Sequence, residues 1–303
     1  MAQLFIQHTI VSTKQSMQFK YKLKLLQEIK KHISLALSED LGSGDLTKSF
    51  IPPKSDSLAK IITRQDAIFC GKLWINEIIK TRKSLKIKWL VKDGQKITKN
   101  QSICEISGST RDILAVERVC LNYIQVLSGT ATTTNTFVNL IKHTKSKVFD
   151  TRKTLPGMRL AQKYAVKVGG GQNQRLGLYD NALFKENHIT ANGSLLNLLE
   201  KLRQKKMFLN SQIEVESIDQ LTTALKYPIK NILLDNFSVS NVKKALQITN
   251  YRINLEISGN INKKTILKYA SLGKLRISVG LLTKDIQAID FSMLIQSKKN
   301  SKA

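Results

Sequence analysis

The densest group of residues that could do chemistry is the segment Asp150–Gly157, which reads DTRKTLPG. Within it, Thr151 precedes Arg152, whose planar guanidinium matches carboxylates and phosphates, and Lys153 adds a compact positive charge. These side chains predict a binding site for anionic groups.

A run of three glycines at positions 169–171 precedes two further cations, Arg175 and Lys185. Glycines allow backbone amides to approach an anion closely, although the same triplet could be a plain loop that ends a helix. Because the two cations follow within a short distance, the pattern favours an anion pocket.

Two turns late in the chain, Ser258–Asn260 and Val279–Leu281, place small residues between a predicted strand and a predicted helix. Such turns expose amide N–H groups and are typical of phosphate binding, although ordinary strand-to-helix turns look the same. Glu214 and Asp235 could hold Mg²⁺ through water, bind ribose hydroxyls, or neutralise neighbouring cations. Together these features indicate a substrate that carries phosphates and carboxylates on a sugar-like core.

Several other classes of site are disfavoured by what the sequence lacks. The four histidines show no HxxxH or HxH spacing, which argues against a catalytic metal held by histidine, and no G-x-S-x-G or Walker pattern occurs. The three cysteines are an odd number without a CxxC pair, so a disulfide scaffold or structural zinc site is not expected. This cysteine usage predicts a reducing, intracellular location.

Six short apolar runs in the second half of the chain predict the strands that position these residues. A helix-like stretch follows each run, and the last four begin roughly 20 residues apart, which is typical of a parallel sheet or barrel. The runs are Val148–Asp150, Ala182–Lys185, Ile213–Glu216, Ile232–Asp235, Ile253–Glu256 and Ile277–Val279. Charged or small polar residues lie at the carboxyl end of nearly every run, so we expect one shared polar site there.

The first half of the chain predicts a smaller α/β or β-rich module. Apolar residues at helical spacing predict a helix over 24–38, which we expect to end at the glycines of 39–45. Three β-like runs separated by turn residues fall within 58–108. A long helix follows over 113–127, and the Ser-Gly pair at 128–129 is expected to end it.

The net charge is strongly positive. The 303 residues include 49 Lys or Arg and 22 Asp or Glu, so the formal charge is +27, which attracts polyanions. The lysines are spread along the whole chain, and the aromatic residues, at 6%, do not interleave with basic clusters as a platform for nucleobases would. No apolar run approaches the roughly 18 residues of a membrane span. We therefore predict a solvated basic surface and expect neither a nucleic-acid nor a membrane partner, with nucleic-acid binding as the alternative.

Many of these motifs, in order and in register, make the sequence similar to nicotinate-nucleotide pyrophosphorylase, also called quinolinate phosphoribosyltransferase. The similarity covers about residues 25 to 295 and is greatest to bacterial members. The segments that carry it are Glu39–Gly42, Leu127–Gly129, Asp150–Gly157, Lys163–Val166, Gly169–Gly171, Arg175–Leu178, Lys185–His188, Asp235–Asn236, Ser258–Asn260 and Ile277–Gly280. One residue departs from the family pattern: Gln174 stands where the family usually shows His before Arg175.

The resemblance implies transfer of phosphoribose from phosphoribosyl pyrophosphate to the ring nitrogen of quinolinate. Loss of the 2-carboxylate then gives nicotinate mononucleotide, CO2 and pyrophosphate in NAD biosynthesis. Mg²⁺ would accompany the pyrophosphate, and we expect no bound organic cofactor and no covalent intermediate with the protein. The implied architecture is an N-terminal α/β sandwich over 1–128, joined by 286–303, and an open (β/α) barrel over 129–285 in a cytoplasmic homodimer.

The resemblance also assigns roles to individual residues. Arg118 would come from the neighbouring subunit and, with Arg152, Lys153 and Arg175, would hold the quinolinate carboxylates. Lys185, Glu214 and Asp235 would face the ribose and pyrophosphate, with the two carboxylates beside the metal, and these three with Lys153 form the implied catalytic group. The full substrate-binding set is Arg118, Thr151, Arg152, Lys153, Arg175, Lys185, Glu214, Asp235, Ser258, Gly259, Asn260, Val279, Gly280 and Leu281.

Two alternatives within the same fold stay open. One is a related enzyme that uses another acceptor, such as the molybdenum-transport-associated branch of the family. The other is a catalytically weakened homologue, because the side chain of Gln174 can form hydrogen bonds but cannot carry a positive charge.

Overall fold

A computed structural model describes the backbone of residues 2–297 and the side chains of residues 21 and 23–296. The chain divides into two compact units, the first formed by residues 1–128 with 288–303 and the second by residues 129–287. Within the described part of the chain, no helix is long and apolar enough to cross a membrane.

Helices and strands occur in both units, and two short 3-10 helices cover Leu46–Phe50 and Phe208–Asn210. The α-helices are α1 (Ala2–Leu41), α2 (Lys72–Lys80), α3 (Thr110–Ile141), α4 (Arg159–Val168), α5 (Glu186–Ala191), α6 (Leu195–Gln204), α7 (Ile218–Ala224), α8 (Val239–Thr249), α9 (Ile266–Ala270) and α10 (Leu281–Lys284). The strands are β1 (Asp56–Thr63), β2 (Ala67–Ile68), β3 (Lys86–Trp89), β4 (Lys96–Ile97), β5 (Ser102–Ser109), β6 (Lys147–Phe149), β7 (Ala182–Phe184), β8 (Ser211–Val215), β9 (Asn231–Asp235), β10 (Asn254–Ser258), β11 (Arg276–Ser278) and β12 (Phe291–Ser297).

The first unit contains a four-stranded antiparallel sheet in the order β12-β1-β5-β3, and β2 pairs with β4. The three cysteines, Cys70, Cys104 and Cys120, are buried in this unit and form no disulfide. Burial raises the pKa of Cys104 to about 12 and also raises the pKa values of the other two thiols. All three therefore stay protonated and unreactive in the folded protein.

The second unit is built around a six-stranded sheet in the order β6-β11-β10-β9-β8-β7, in which every pairing is parallel. All six strands predicted from the apolar runs are confirmed, with ends that differ by up to two residues. Because the strands are parallel, their carboxyl ends meet at one edge of the sheet. The predicted fold class, a small N-terminal sheet domain followed by an open α/β unit, is confirmed.

The helix predicted over 24–38 is part of the much longer α1. Its predicted apolar face is confirmed, because Ile29 and Ile33 are buried and Leu26 and Leu37 are half-buried. The predicted stop is also confirmed. Gly42 adopts a positive φ of 49° and donates its N–H to the carbonyl of Ser38 at 3.1 Å. A residue without a Cβ ends a helix in this way at little steric cost.

The predicted end of the long helix at residues 128–129 is wrong, because α3 continues to Ile141. Beyond the expected stop, Ala131, Phe137 and Ile141 are buried and extend an apolar face. The hydroxyl of Thr134 donates to the carbonyl of Thr130 within the helix at 2.8 Å. A glycine inside a helix costs roughly 1 kcal/mol relative to alanine, and burial of this face exceeds that penalty.

Candidate active site

A cavity of about 910 Å³ lies at the carboxyl ends of the parallel strands, and every residue that lines it belongs to the second unit. The strand order predicts this, because polar side chains at successive strand ends must face the same region. The predicted substrate-binding residues that it brings together are Thr151, Arg152, Lys153, Arg175, Lys185, Glu214, Asp235, Ser258, Gly259, Asn260, Gly280 and Leu281.

Two predicted residues are not among those that line the cavity. Arg118 lies on α3 in the first unit. Val279 is buried, and its N–H donates to the carbonyl of Phe149 at 2.9 Å. That amide is already used, so in this turn it is Gly280 and Leu281 that border the cavity.

The glycine triplet at 169–171 is also absent from the cavity wall, so its interpretation as part of an anion pocket is wrong. Its three N–H groups donate to carbonyls in the last turn of α4 at 2.9 to 3.0 Å. A Cβ on Gly169 would lie 2.4 Å from the carbonyl oxygen of Ala131, and one on Gly171 would lie 2.8 Å from Cγ2 of Thr134. The triplet ends α4 and permits close packing instead.

The loop that carries the first cations is held by a buried glutamine of α4. Gln162 accepts a hydrogen bond from the N–H of Leu155 at 2.8 Å and donates to the carbonyl of Thr283 at 2.9 Å. The hydroxyl of Thr283 donates to the carbonyl of Lys153 at 2.7 Å, and the N–H of Lys153 donates to Oγ1 of Thr151 at 3.0 Å. The backbone of the loop is therefore fixed, while its long side chains extend into the cavity.

Two lysines converge beside the turn at Gly280. A Cβ at this glycine would lie 3.5 Å from Cδ of Lys153, 3.9 Å from Cε of Lys284 and 4.0 Å from Oγ1 of Thr151. Lys284 was not among the predicted site residues. Its position four residues after Gly280 on a short helix would place it on the same face as the turn, so helical spacing could have found it.

The carboxylates at the ends of β8 and β9 are held by different partners. Glu214, which is 4% exposed, accepts a hydrogen bond from Nζ of Lys185 at 2.6 Å. Burial raises the pKa of Glu214, Lys185 opposes the shift, and the nearby charge of Asp235 adds to it. Asp235 accepts hydrogen bonds from the hydroxyl of Ser258 at 2.5 Å and the side-chain amide of Asn236 at 2.8 Å.

Arg175 is a half-buried cation of the wall. One terminal nitrogen donates to the carbonyl of Asn181 at 2.9 Å, whereas its buried Nε has no hydrogen-bond partner among the described residues. Burial lowers the pKa of Arg175, and the neighbouring charge of Arg152 lowers it further. Two guanidinium groups held together in this way favour an anion between them.

Asp150 ends a predicted strand, but the structure buries it beneath the cavity as a support. It forms a fully buried ion pair with Lys163 and accepts hydrogen bonds from the side chain of Asn173 at 2.6 Å and the N–H of Gln174 at 2.8 Å. Lys163 also donates to the carbonyl of Gln174 at 2.8 Å. Burial raises the pKa of Asp150 and lowers that of Lys163, and their mutual attraction opposes both shifts.

The wall carries more acidic residues than the two carboxylates, Glu214 and Asp235, predicted from the sequence. Its cations are Arg152, Lys153, Arg175, Lys185 and Lys284, and its acids are Glu186, Glu214, Glu216, Asp235 and Glu256. Five of each give a formal sum of 5 − 5 = 0. Glu216 follows Glu214 by two residues, and the alternation of side chains along a strand could have placed both on one face.

Comparison with known proteins agrees with this architecture. The protein-family model of the quinolinate phosphoribosyl transferase N-terminal domain matches residues 45–128, and the family model of the C-terminal domain matches residues 130–294. A probable nicotinate-nucleotide pyrophosphorylase (carboxylating) of Bacillus subtilis is 36% identical over an alignment of 271 residues that covers 88% of this chain and 93% of the relative. A mitochondrial quinolinate phosphoribosyltransferase (decarboxylating) of Nicotiana glauca is 33% identical over 97% of this chain and 91% of its own.

A solved structure shows the same likeness in three dimensions. The nicotinate-nucleotide pyrophosphorylase of Francisella tularensis superimposes with a TM-score of 0.85 at 43% identity, covering 89% of this chain and 97% of that one. Both family models and the relatives span the two units. The chain belongs to the quinolinate phosphoribosyltransferase family.

Proposed function

We propose that this chain transfers phosphoribose from phosphoribosyl pyrophosphate to quinolinate, with loss of CO2, to form nicotinate mononucleotide and pyrophosphate. The observation that carries the proposal is the convergence, in one cavity, of cations from the ends of β6 and β7 with carboxylates from the ends of β8 and β9. The two substrates are both anionic and repel each other. A wall that binds both removes much of the cost of bringing them together.

Arg152 and Arg175 form the end of the cavity that suits the acceptor. Two guanidinium groups can each bind a carboxylate in a fixed plane, and a pyridine dicarboxylate offers two such groups. Lys153, which follows Arg152 in the chain and lines the same cavity, adds charge without a fixed orientation. This arrangement favours a dicarboxylate over a monocarboxylate such as nicotinate.

Glu214 and Asp235 form the part that suits the reacting ribose. Positive charge develops on the ribosyl carbon as pyrophosphate departs, and carboxylates fixed beforehand stabilise it. Lys185, which is hydrogen-bonded to Glu214, favours the ionised form of that carboxylate and faces the departing negative charge. Once the ring nitrogen is alkylated, its positive charge stabilises the electron pair left on the neighbouring ring carbon as CO2 departs, and a proton from solvent then takes the place of the carboxylate.

The two phosphate-type turns complete the wall. Gly259 has φ of 92°, and a Cβ there would lie 2.1 Å from Oδ1 of Asn236, so only glycine fits the turn without displacing its neighbour. Gly280 and Leu281 form the other turn, beside the lysines described above. We assign the 5-phosphate of the donor to these turns.

We propose Mg²⁺ as the metal of the reaction. The described residues contain no group of three His, Cys, Asp or Glu side chains that could hold a metal alone. Two neighbouring carboxylates, Glu214 and Asp235, are nevertheless the donor set that Mg²⁺ uses together with substrate phosphates. When bound there, Mg²⁺ would neutralise charge on the pyrophosphate.

We further propose a homodimer in the cytoplasm, in which Arg118 of one subunit serves the site of the other. The family resemblance supports the dimer, and the three free cysteines support a reducing compartment. Mixing Arg118→Ala with Lys185→Ala subunits tests the exchange, because a mixed dimer would contain one complete site. We expect equal mixing to restore about a quarter of wild-type activity, whereas no recovery would contradict the shared site.

The decisive experiment measures pyridine mononucleotide and CO2 formed by the purified protein from quinolinate and phosphoribosyl pyrophosphate. Arg152→Ala and Lys185→Ala are each expected to lower turnover at least about 100-fold, as for loss of a charged transition-state contact. Lys268→Ala removes an exposed cation of α9 outside the cavity and is the matched control. Equal turnover of nicotinate would contradict the proposed acceptor, and no turnover of either would refute the enzyme.

A further inference from the structure

A chain of buried polar side chains connects two residues of the cavity wall, Gln174 and Glu256, through Gln212. The amide nitrogen of Gln174 donates to Oε1 of Gln212 at 3.2 Å, and the amide nitrogen of Gln212 donates to Oε2 of Glu256 at 3.1 Å. Exposure is 9%, 5% and 0% along the three residues, so water competes little for these bonds. We name this chain the Gln174–Gln212–Glu256 relay.

The direction of the relay is set at its inner end. An ionised carboxylate only accepts hydrogen bonds, so Gln212 must turn its NH2 group toward Glu256 and its carbonyl oxygen toward Gln174. Ser278 and Arg276 donate to the same carboxylate at 2.6 and 2.9 Å and hold it in place. Gln174 must then give its NH2 group to Gln212, because reversing any amide would bring two acceptors together.

The backbone of Gln174 is fixed by a second, independent pair. Its N–H donates to Asp150 and its carbonyl accepts from Lys163, and these two residues form the buried ion pair. Both the main chain and the amide of Gln174 are therefore held in one orientation. The side chain borders the cavity immediately before Arg175.

We propose that Gln212 and Glu256 are positioning residues that act through Gln174. They hold its amide at the acceptor end of the cavity, where it hydrogen-bonds the dicarboxylate without adding charge. This inference rests on the proposed function. It predicts that breaking the relay weakens the binding of quinolinate while leaving phosphoribosyl pyrophosphate unaffected.

Gln212→Glu is the variant that tests the relay, because it exchanges a single heavy atom, nitrogen for oxygen, with almost no change of volume. It keeps an acceptor for Gln174, removes the donor toward Glu256, and places a second carboxyl against a buried one. Burial and the like charge raise the pKa of the introduced carboxyl. Below that pKa it is protonated, and its O–H can donate to Glu256 as the amide did.

The expected result has a pH signature that loss of packing would not produce. At about pH 8 the Michaelis constant for quinolinate rises at least about tenfold, the cost of a hydrogen bond lost, and at about pH 6 the variant approaches wild type. The Michaelis constant for phosphoribosyl pyrophosphate stays within about twofold. Other charged groups around the relay are present in both proteins, so the ratio of variant to wild type isolates the effect of the new carboxyl. These groups are Asp150, Lys163, Lys185, Glu214, Asp235 and Arg276.

The double variant Gln212→Glu/Glu256→Gln exchanges carboxylate and amide and supplies the rescue. The amide at position 256 can donate to the carboxylate at 212, which still accepts from Gln174, while Arg276, whose side chain is 39% exposed, turns its Nε from position 256 toward solvent. We expect the quinolinate constant to return to within about threefold of wild type at either pH. Gln247→Glu adds the same charge at an exposed position of α8 and is the matched control.

The outcomes separate the relay from the proposed function. If the wild-type protein does not turn over quinolinate, the proposed function fails. If it does, and a folded Gln212→Glu protein shows an unchanged quinolinate constant, a pH-independent defect, or no recovery in the double variant, the relay is overturned. Circular dichroism and thermal unfolding establish that each variant is folded.

Discussion

Lys163→Met is the substitution whose effect on stability follows most directly from the structure. Lys163 and Asp150 form an ion pair in which both side chains are 0% exposed. The substitution leaves the carboxylate buried with Asn173 and the N–H of Gln174 as its remaining hydrogen-bond donors. Breaking a buried pair on one side costs about 3 to 5 kcal/mol of unfolding free energy.

The second unit has 159 residues, counted from 129 to 287 as 287 − 129 + 1. For a unit of this size, 1 kcal/mol corresponds to about 2 to 4 °C in Tm, so the expected fall is about 6 to 20 °C. Thermal unfolding at about pH 8, followed by circular dichroism, measures it. A Tm within about 2 °C of wild type would refute the reasoning.

The pH dependence of the same variant provides a second measurement. With Lys163 gone, burial holds the folded-state pKa of Asp150 further above its unfolded value. The folded protein then binds a proton more tightly than the unfolded one, so the variant gains stability as pH falls through the raised pKa. We expect the deficit to be smaller at about pH 5 than at about pH 8. The double variant Asp150→Asn/Lys163→Met has no buried charge, so we expect it to recover at least about half of the unfolding free energy that Lys163→Met loses. If the double variant is as unstable as the single variant, the ion-pair interpretation is wrong.

Gly259→Ala is expected to raise the Michaelis constant for phosphoribosyl pyrophosphate at least about tenfold, because its Cβ would collide with Asn236; an unchanged constant would contradict the tight turn. Lys284→Ala should raise the Michaelis constant for phosphoribosyl pyrophosphate about tenfold, whereas Lys268→Ala should leave it within about twofold. Equal effects of the two substitutions would mean that the net charge of the protein, and not contact of Lys284 with the substrate, determines binding. Burial raises the pKa of Glu214, so turnover should fall as the pH drops through this raised pKa. Glu214→Gln should turn over slowly and should not show this fall at acidic pH. If the variant shows the same fall as wild type, Glu214 is not its source. Chelation should stop turnover and excess Mg²⁺ restore it, whereas undiminished turnover in chelator would rule out the metal.

The strands and the location of the site could be predicted because both follow from local pattern. Each apolar run is a strand, and parallel strands bring their polar ends together by geometry alone. Helical periodicity likewise located the buried face of α1 and its stop at Gly42. The Ser-Gly pair in α3 led to a wrong prediction of the end of the helix, because burial of the apolar residues that follow the pair outweighs its local helix-breaking effect.

Other features of the site depend on distances that no local pattern encodes. Asp150 looks like a strand-end ligand, and only the fold shows that Lys163, 13 residues later, is buried against it. The glycine triplet looks like an anion loop, yet its N–H groups are consumed by α4. Gln212 and Glu256 are 44 residues apart in the sequence, so their hydrogen bond could be recognised only from the arrangement of β8 and β10 in the sheet.

Because all three thiols lie in the first unit, their chemical reactivity reports on the opening of that unit. All three cysteines lie buried there with raised pKa values, and residues 129–287 contain none. Alkylation requires an exposed thiolate, so a reagent added to the native protein can react only when this unit opens. The rate of alkylation therefore measures how often the first unit opens, with no engineered probe. The second unit, which holds the cavity, contains no thiol and contributes no signal.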